Sequence, residues 1–333
     1  MTRQGNRATG GRRVWAGVLL GLLVACGSVG VPDAAEKFPA RPIELIVPYP
    51  PGGGTDIVGR MIAEAVEPFL GVKAVVINKP GGSGTIGLTA LTEARPDGHT
   101  LGCISNAPLT MAPNVLRVKY TADEFSYAAM LSKGAQVFAV RSEFPATTAA
   151  EFFALVAKNP GKFTYGGDGV GNIVHYSGER VFQPLKLRLR FVPFGGGGDT
   201  IKAVLGGHVD VYGGSVPVVV SHIKAGKIRP LFVTTRERVE ALPGVPGVGD
   251  LGGGTQETAF WRAIIGPKGV SAETLAILQK AFQQAVQTQA VKDKLNSLGE
   301  EPVLVGGKEL GAYVRQETAG MAEAAKQLGL SPK

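Results

Sequence analysis

Two cysteines, four histidines and two tryptophans in 333 residues remove several chemistries at once. Cys26 lies in an N-terminal apolar segment and Cys103 in the body of the chain, so no disulfide forms within the mature fold unless Cys26 stays unmodified. His99, His175, His208 and His222 are scattered, with no pair at metal-ligand spacing, and this excludes a zinc or iron site. No Gly-Lys-Ser/Thr follows any glycine run, which excludes a nucleotide P-loop. Ser83 has no Gly-x-Ser-x-Gly frame and no base to activate it, so the chain offers no nucleophile set. The longest apolar run, Val14 to Ala25, is too short to span a bilayer. The net charge of +8 gives no case for nucleic acid, because Arg3, Arg7, Arg12 and Arg13 supply half of it ahead of that run. No cofactor is expected, and no repeat or low-complexity tract breaks the chain.

Glycine is abundant, at 48 residues, and clustered. Val47-Pro-Tyr-Pro-Pro-Gly-Gly-Gly-Thr-Asp56 follows the β-branched run Ile43–Val47 and opens a helical pattern over 56–67 that should end at Pro68. Asn78-Lys-Pro-Gly-Gly-Ser-Gly-Thr85 does the same after Ala74–Ile77, ahead of a helix over 86–94. A bare helix N-terminus carries unpaired N–H groups and the positive end of the macrodipole, so it holds an anion without a charged side chain. Two such ends side by side would cradle a carboxylate; the plainer reading is a pair of tight strand-to-helix turns. Gly82-x-Gly84-x-x-Gly87 also fits the dinucleotide fingerprint, but the export signal and the preceding proline argue against it. Peptide dipoles do not titrate, so binding by them should vary little with pH above the ligand's own pKa.

The basic stretch and apolar run at the start form an export leader over 1–26, followed by a polar tether over 27–38. Leu23-Val-Ala-Cys26 fits a lipobox with lipidation at Cys26; ordinary cleavage nearer Ala35 is the alternative. Either route places the mature chain in the periplasm. Strand–helix alternation with short links from 39 to 137 demands parallel pairing. The grammar restarts over 138–234, with a capping box at Thr148 and Glu151, strands at Phe163–Tyr165, Arg190–Pro193, Val209–Tyr212 and Ile228–Thr235, and a helix capped by Asp199. Residues 235–333, with helices from Ser271 and from about Leu310, should return to cover the first lobe. The expected fold class is α/β: two open sheets flanked by helices, joined by a hinge, with ligands bound at the strand ends that face the cleft. Trp261 and Arg262 should pack at the lobe junction, and Asp56 should serve only the dipole of its helix.

Several collinear stretches identify a family. Phe38-Pro-Ala-Arg-Pro-Ile-Glu-Leu-Ile-Val-Pro-Tyr-Pro-Pro-Gly-Gly-Gly-Thr-Asp56, Asn78–Gly87, Arg95-Pro-Asp-Gly-His-Thr-Leu101, His222–Arg229 and Leu242-Pro-Gly-Val-Pro246 closely resemble the Bug (TctC-like) receptors of tripartite tricarboxylate transporters. The likeness covers essentially the whole mature chain. It implies a non-catalytic, monomeric, two-lobed periplasmic binding protein of the type II kind that closes on a small carboxylate. It further implies delivery to the transporter's membrane subunits, with an extracytoplasmic sensor kinase as the alternative partner. By the same resemblance, one ligand carboxylate sits against Tyr49, Gly53, Gly54 and Thr55, and against Gly82, Ser83, Gly84 and Thr85. The distal end faces Ser105, Asn106 and Ala107, and from the second lobe Asp168, Asn172, Phe194 and Ser215. The second lobe departs from the family pattern, which usually has serines at Gly167 and Asp168, threonine or serine at Asn172, and tyrosine and lysine at Phe194 and Gly195. Gly214-Ser215 likewise replaces a frequent acidic–amide pair.

Asp168 has two open readings: turn-former in its glycine loop, or acceptor for an ammonium or hydroxyl at the far end of the ligand. A carboxylate there would repel a second ligand carboxylate by several kcal/mol where water is excluded. The second reading therefore expects one carboxylate and a distal donor, not a tricarboxylate.

Overall fold

The structure, a computed structural model, describes residues 37–258, 260–327, 329 and 330, so the leader and the lipidation site at Cys26 lie outside the described residues. The chain starts with β1 (Ile43–Val47), α1 (Gly54–Leu70), β2 (Ala74–Asn78), α2 (Thr85–Thr92) and β3 (Thr100–Ser105). β1 pairs in parallel with both β2 and β3, as two short strand–helix–strand links require. After a short α3 (Ala112–Val115), the long strand β4 (Phe125–Gly134) leads through a single residue into β5 (Gln136–Arg141), which belongs to the other sheet.

The second sheet is then built by α4 (Ala149–Lys158), β6 (Thr164–Gly167), α5 (Ile173–Phe182), β7 (Arg190–Pro193), α6 (Gly197–Leu205), β8 (Val211–Ser215), α7 (Val216–Lys224) and β9 (Ile228–Val233). Its order is β7-β6-β8-β5-β9, with β6 parallel to β7 and β8, and β5 antiparallel to β8 and β9. Past α8 (Val248–Leu251) the chain re-enters the first sheet as β10 (Phe260–Pro267) and finishes with α9 (Ala272–Gln287), α10 (Gln289–Ser297), β11 (Glu300–Pro302) and α11 (Gly307–Gln327). The first sheet therefore reads β11-β4-β10-β3-β1-β2, with β10 antiparallel to both β3 and β4.

Each sheet carries its own core. Leu45, Val47, Val58, Ile62 and Cys103 pack with Leu278 and Phe282 of α9, which covers α1 and the first sheet. In the second lobe Phe138 stacks on Phe232 at 4.8 Å and meets Phe182 edge-on. Among the described residues no helix is long and apolar enough to cross a membrane.

Some local expectations need correction. Pro68 sits inside α1, two residues from its end; the helix stops instead at Gly71, whose φ of 74° is the left-handed conformation that glycine adopts without strain. Asp199 is in the first turn of α6, which is preceded by Gly196, so it favours the dipole rather than capping. Residues 242, 245 and 248 pack on the second-lobe cores, and Val233 bridges to Gly247, so the chain stays with the second lobe well past residue 235 before β10 returns. Thr148 does accept from the Glu151 amide, as its capping box requires, and the Glu151 carboxylate also accepts from the Thr147 amide.

Candidate functional site

The first glycine loop is pinned by Asp56. Its buried carboxylate accepts from the Gly52 amide at 2.9 Å and from Asn78 Nδ2 at 2.8 Å, and pairs with Arg60 at 2.8 Å. Asn78 closes β2 and also donates to the Tyr49 carbonyl, so Asp56 ties the β1–α1 loop to the start of the β2–α2 loop. Its job exceeds dipole stabilisation. Burial opposes its ionisation, but the bonds from Arg60, Gly52 and Asn78 outweigh that and hold its pKa below the ordinary carboxylate value. Asp56→Ala, which strips a charged acceptor from these donors, is expected to lower stability by about 2 kcal/mol, measured by urea denaturation.

The two loops differ in what their amides have left to give. Gly53 and Ile57 donate to the carbonyls of Pro50 and Gly53, whereas among the described residues the amides of Gly54, Thr55 and Asp56 meet no acceptor. At the second loop, Gly84 and Ile86 donate to Gly81 and Thr85 donates to Gly82, closing a 3-10 turn over Gly82–Gly84. The start of α2 is thus internally capped, and only α1 presents a bare N-terminus of the kind expected of both. Ser83 takes a left-handed φ of 57° and its hydroxyl donates across the seam to the Val170 carbonyl at 3.4 Å. Thr85 Oγ1 donates to the Gly82 carbonyl, and Gly84 lies buried against Pro108 and Tyr49.

The lobes meet directly at this seam. Tyr49 Oη hydrogen-bonds Ser105 Oγ at 3.1 Å within the first lobe and receives Asn172 Nδ2 at 3.4 Å from the second. Asn172 also caps α5 by accepting from the Ile173 amide. Pro50 stands 3.1 Å from where a side chain on Gly196 would begin, and the backbone of Gly52 stands 3.3 Å from that point on Gly198. Three expected site residues face elsewhere in their bonding. Asn106 donates to Glu317 of α11, Ala107 is core, and the Phe194 ring packs over Gly166 and Thr200 inside the second lobe.

Arg262, on β10 opposite Ser105 of β3 and Ser132 of β4, is wholly buried in this region. Its Nη1 pairs with Glu300 Oε1, whose other oxygen accepts from Ser132 at 2.8 Å, and the guanidinium lies 4.5 Å from the Phe260 ring centre. Among the described residues Nε and Nη2 have no partner. Nη2 is 2.7 Å from the position a Cβ on Gly54 would take, and Ser215 Oγ would overlap that Cβ. The arginine thus reaches the point where the α1 N-terminus meets the start of α7. An arginine interrupting the apolar run Phe260 to Ile265 was the available signal for it, since a charge in a central strand must find partners. A groove of about 420 Å³ opens beside Glu300, lined among others by Lys133, Arg236, Phe260 and Glu301.

Asp168 Oδ1 is likewise buried without a donor. Loss of water raises this carboxyl to about 7, against the attraction of Arg262 and with Asp199 adding repulsion; Tyr49 and Tyr212 are the other titratable groups coupled to it. Burial, then Asp168, pushes the Tyr49 phenol up to about 12. One group at the seam therefore titrates near neutrality, unlike a cradle of amides alone. A carboxyl with a raised pKa favours the closed state fully below its solvated pKa, and that preference is lost as pH climbs to about 7. The wild-type protein should open between about pH 4 and pH 7, seen as a growing radius of gyration in small-angle scattering, and Asp168→Asn should not.

Two α/β lobes joined by extended crossings, with helix-start loops and buried polar groups at the seam, define a two-lobed periplasmic binding protein. The chain belongs to the tripartite tricarboxylate transporter family receptors, whose family pattern matches residues 58–330. It is 26% identical over 95% of its length to protein BugT of Bordetella pertussis, covering 98% of that protein. The structure of periplasmic binding protein BugD is 28% identical and superposes with a TM-score of 0.83, covering 89% of this chain and all of that one. Rpa4515 of R. palustris, solved with adipate, is 26% identical with a TM-score of 0.83, over 89% of this chain and 100% of that one. These are solute receptors, not enzymes, and the family places the chain in the periplasm.

Proposed function

We propose that this chain captures a small organic carboxylate between its lobes and hands it to the membrane subunits of a tripartite tricarboxylate-type transporter, after export with or without a lipid on Cys26. The observation that carries the reading is the convergence of the unspent α1 amides with the free Nη2 of buried Arg262. A helix start and a guanidinium edge both favour a carboxylate, and closure would exclude the water that otherwise screens them. The bound adipate of one relative supports the same ligand class. Gly53, Gly54, Thr55 and Tyr49 form the carboxylate side, with Gly82 and Ser83 alongside, and Ser105, Asn172 and Ser215 complete the seam. Mass spectrometry of the ligand that co-purifies, followed by calorimetry with it, tests the reading. A tight ligand without an acidic group would overturn it. For delivery, uptake of the labelled ligand should fall when the receptor gene is deleted; unchanged uptake would remove the transporter from the account.

A further inference from the structure

We infer that Arg262 anchors the ligand carboxylate and Asp168 forms the opposite pole of the cleft, so that the ligand is a zwitterion with a carboxylate and an ammonium. This rests on the cleft being the carboxylate site. The argument is one of unmet valence. A guanidinium offers five N–H donors in a planar fork, and Glu300 occupies only the Nη1 corner. Nε and Nη2 are buried and unbonded among the described residues, and Nη2 lies against Gly54, which faces Ser215 across the lobes. Leaving charged donors dry and unpaired is costly, and a carboxylate meets that edge in bidentate geometry.

Asp168 has the complementary deficit. Its Oδ1 is buried with no donor among the described residues and, like Tyr212 Oη, lies beside Gly197, while Tyr212 Oη donates to the Ser215 carbonyl. Arg262 and Asp168 feel each other's charge but form no hydrogen bond. Glu300 already neutralises Arg262, so Asp168, once ionised, is the unbalanced charge of the seam. A dicarboxylate would add its second negative end to that excess. An ammonium would cancel it and supply the missing donors.

The test uses the full chain, stripped of ligand by unfolding and refolding, in calorimetric titrations with glycine, β-alanine, 4-aminobutyrate and 5-aminovalerate. Each is compared with the simple acid and the dicarboxylate of equal chain length. One amino acid should bind at least about tenfold tighter than both counterparts. Asp168→Asn should erase that preference while leaving dicarboxylate binding equal or stronger. Arg262→Lys, which keeps a cation for Glu300 but loses the planar fork, should weaken every carboxylate by roughly tenfold or more. A dicarboxylate that binds the wild type best, a preference that survives Asp168→Asn, or affinities unchanged in Arg262→Lys would each overturn the assignment. Thermal midpoints of both variants check folding, and if Arg262→Lys fails to fold, the ligand ranking and Asp168→Asn decide. Absence of binding by any acid, together with a non-acidic co-purifying ligand, would instead sink the carboxylate reading itself.

Discussion

Gly54→Ala should leave the fold intact and weaken ligand capture by roughly 10- to 100-fold. The added methyl would overlap Ser215 Oγ of the second lobe, which meets Gly54 only when the lobes are together, and would press within 2.7 Å of Arg262 Nη2 in its own lobe. Overpacking of this kind costs about 1–3 kcal/mol, and the severe overlap, with Ser215, falls on the closed state. A closed-state penalty reduces apparent affinity by the same free energy, about tenfold per 1.4 kcal/mol. Gly54 is the first residue of α1, where alanine favours the helix, and in the open protein the methyl meets only the end of the Arg262 side chain. Calorimetry against the co-purifying ligand reads the loss, and a scattering profile that stays extended on adding ligand identifies blocked closure as its cause. Equal affinity in Gly54→Ala would mean that the bound state does not bring the α1 start against Ser215.

The seam explains which parts of the molecule local sequence signals reach. β1, β2 and β3 are short apolar runs, each ended by turn residues, and β7 coincides with Arg190–Pro193 because the Phe194 glycine run closes it. Such signals lie within a few residues of the element they report. β4, β5 and β10 lack them. Phe125–Gly134 runs into Gln136–Arg141 without a turn, since the chain passes from one sheet to the next there instead of reversing. Sheet membership is decided by partners far away, β10 lying between β3 and β4, and no periodicity encodes that. The same limit governs the site. The glycine loops at Gly52–Gly54 and Gly82–Gly84 are visible as composition, but whether their amides are free depends on local turn geometry, which left α1 open and capped α2 internally. Arg262 stands out as a charge in an apolar run, yet its partner Glu300 lies 38 positions on in a three-residue strand. Asp168 belongs with these: its loop is legible, whereas the charges that face it come from both lobes, Arg262 from the first and Asp199 from its own.

Glu300→Ala should be the most destabilising single change at the seam, lowering stability by about 3–5 kcal/mol and the thermal midpoint by roughly 6–15 °C. Glu300 and Arg262 are both fully buried, so the substitution removes the ion-pair partner of a guanidinium whose other edge already lacks an acceptor among the described residues, and frees Ser132 as well. The double variant Arg262→Met/Glu300→Leu should recover most of that loss, because replacing a buried pair by apolar side chains of similar volume is neutral or stabilising in comparable settings. Ligand binding should not recover with it. If the pair were kept for stability, the double variant would be as damaged as the single one, and a thermodynamic cycle over the four proteins measures the difference. Recovery of the midpoint without recovery of binding would show that the fold tolerates losing this ion pair, and that what requires it is an arginine held rigidly at the mouth of α1, with one edge satisfied by the protein and the other left for an acid.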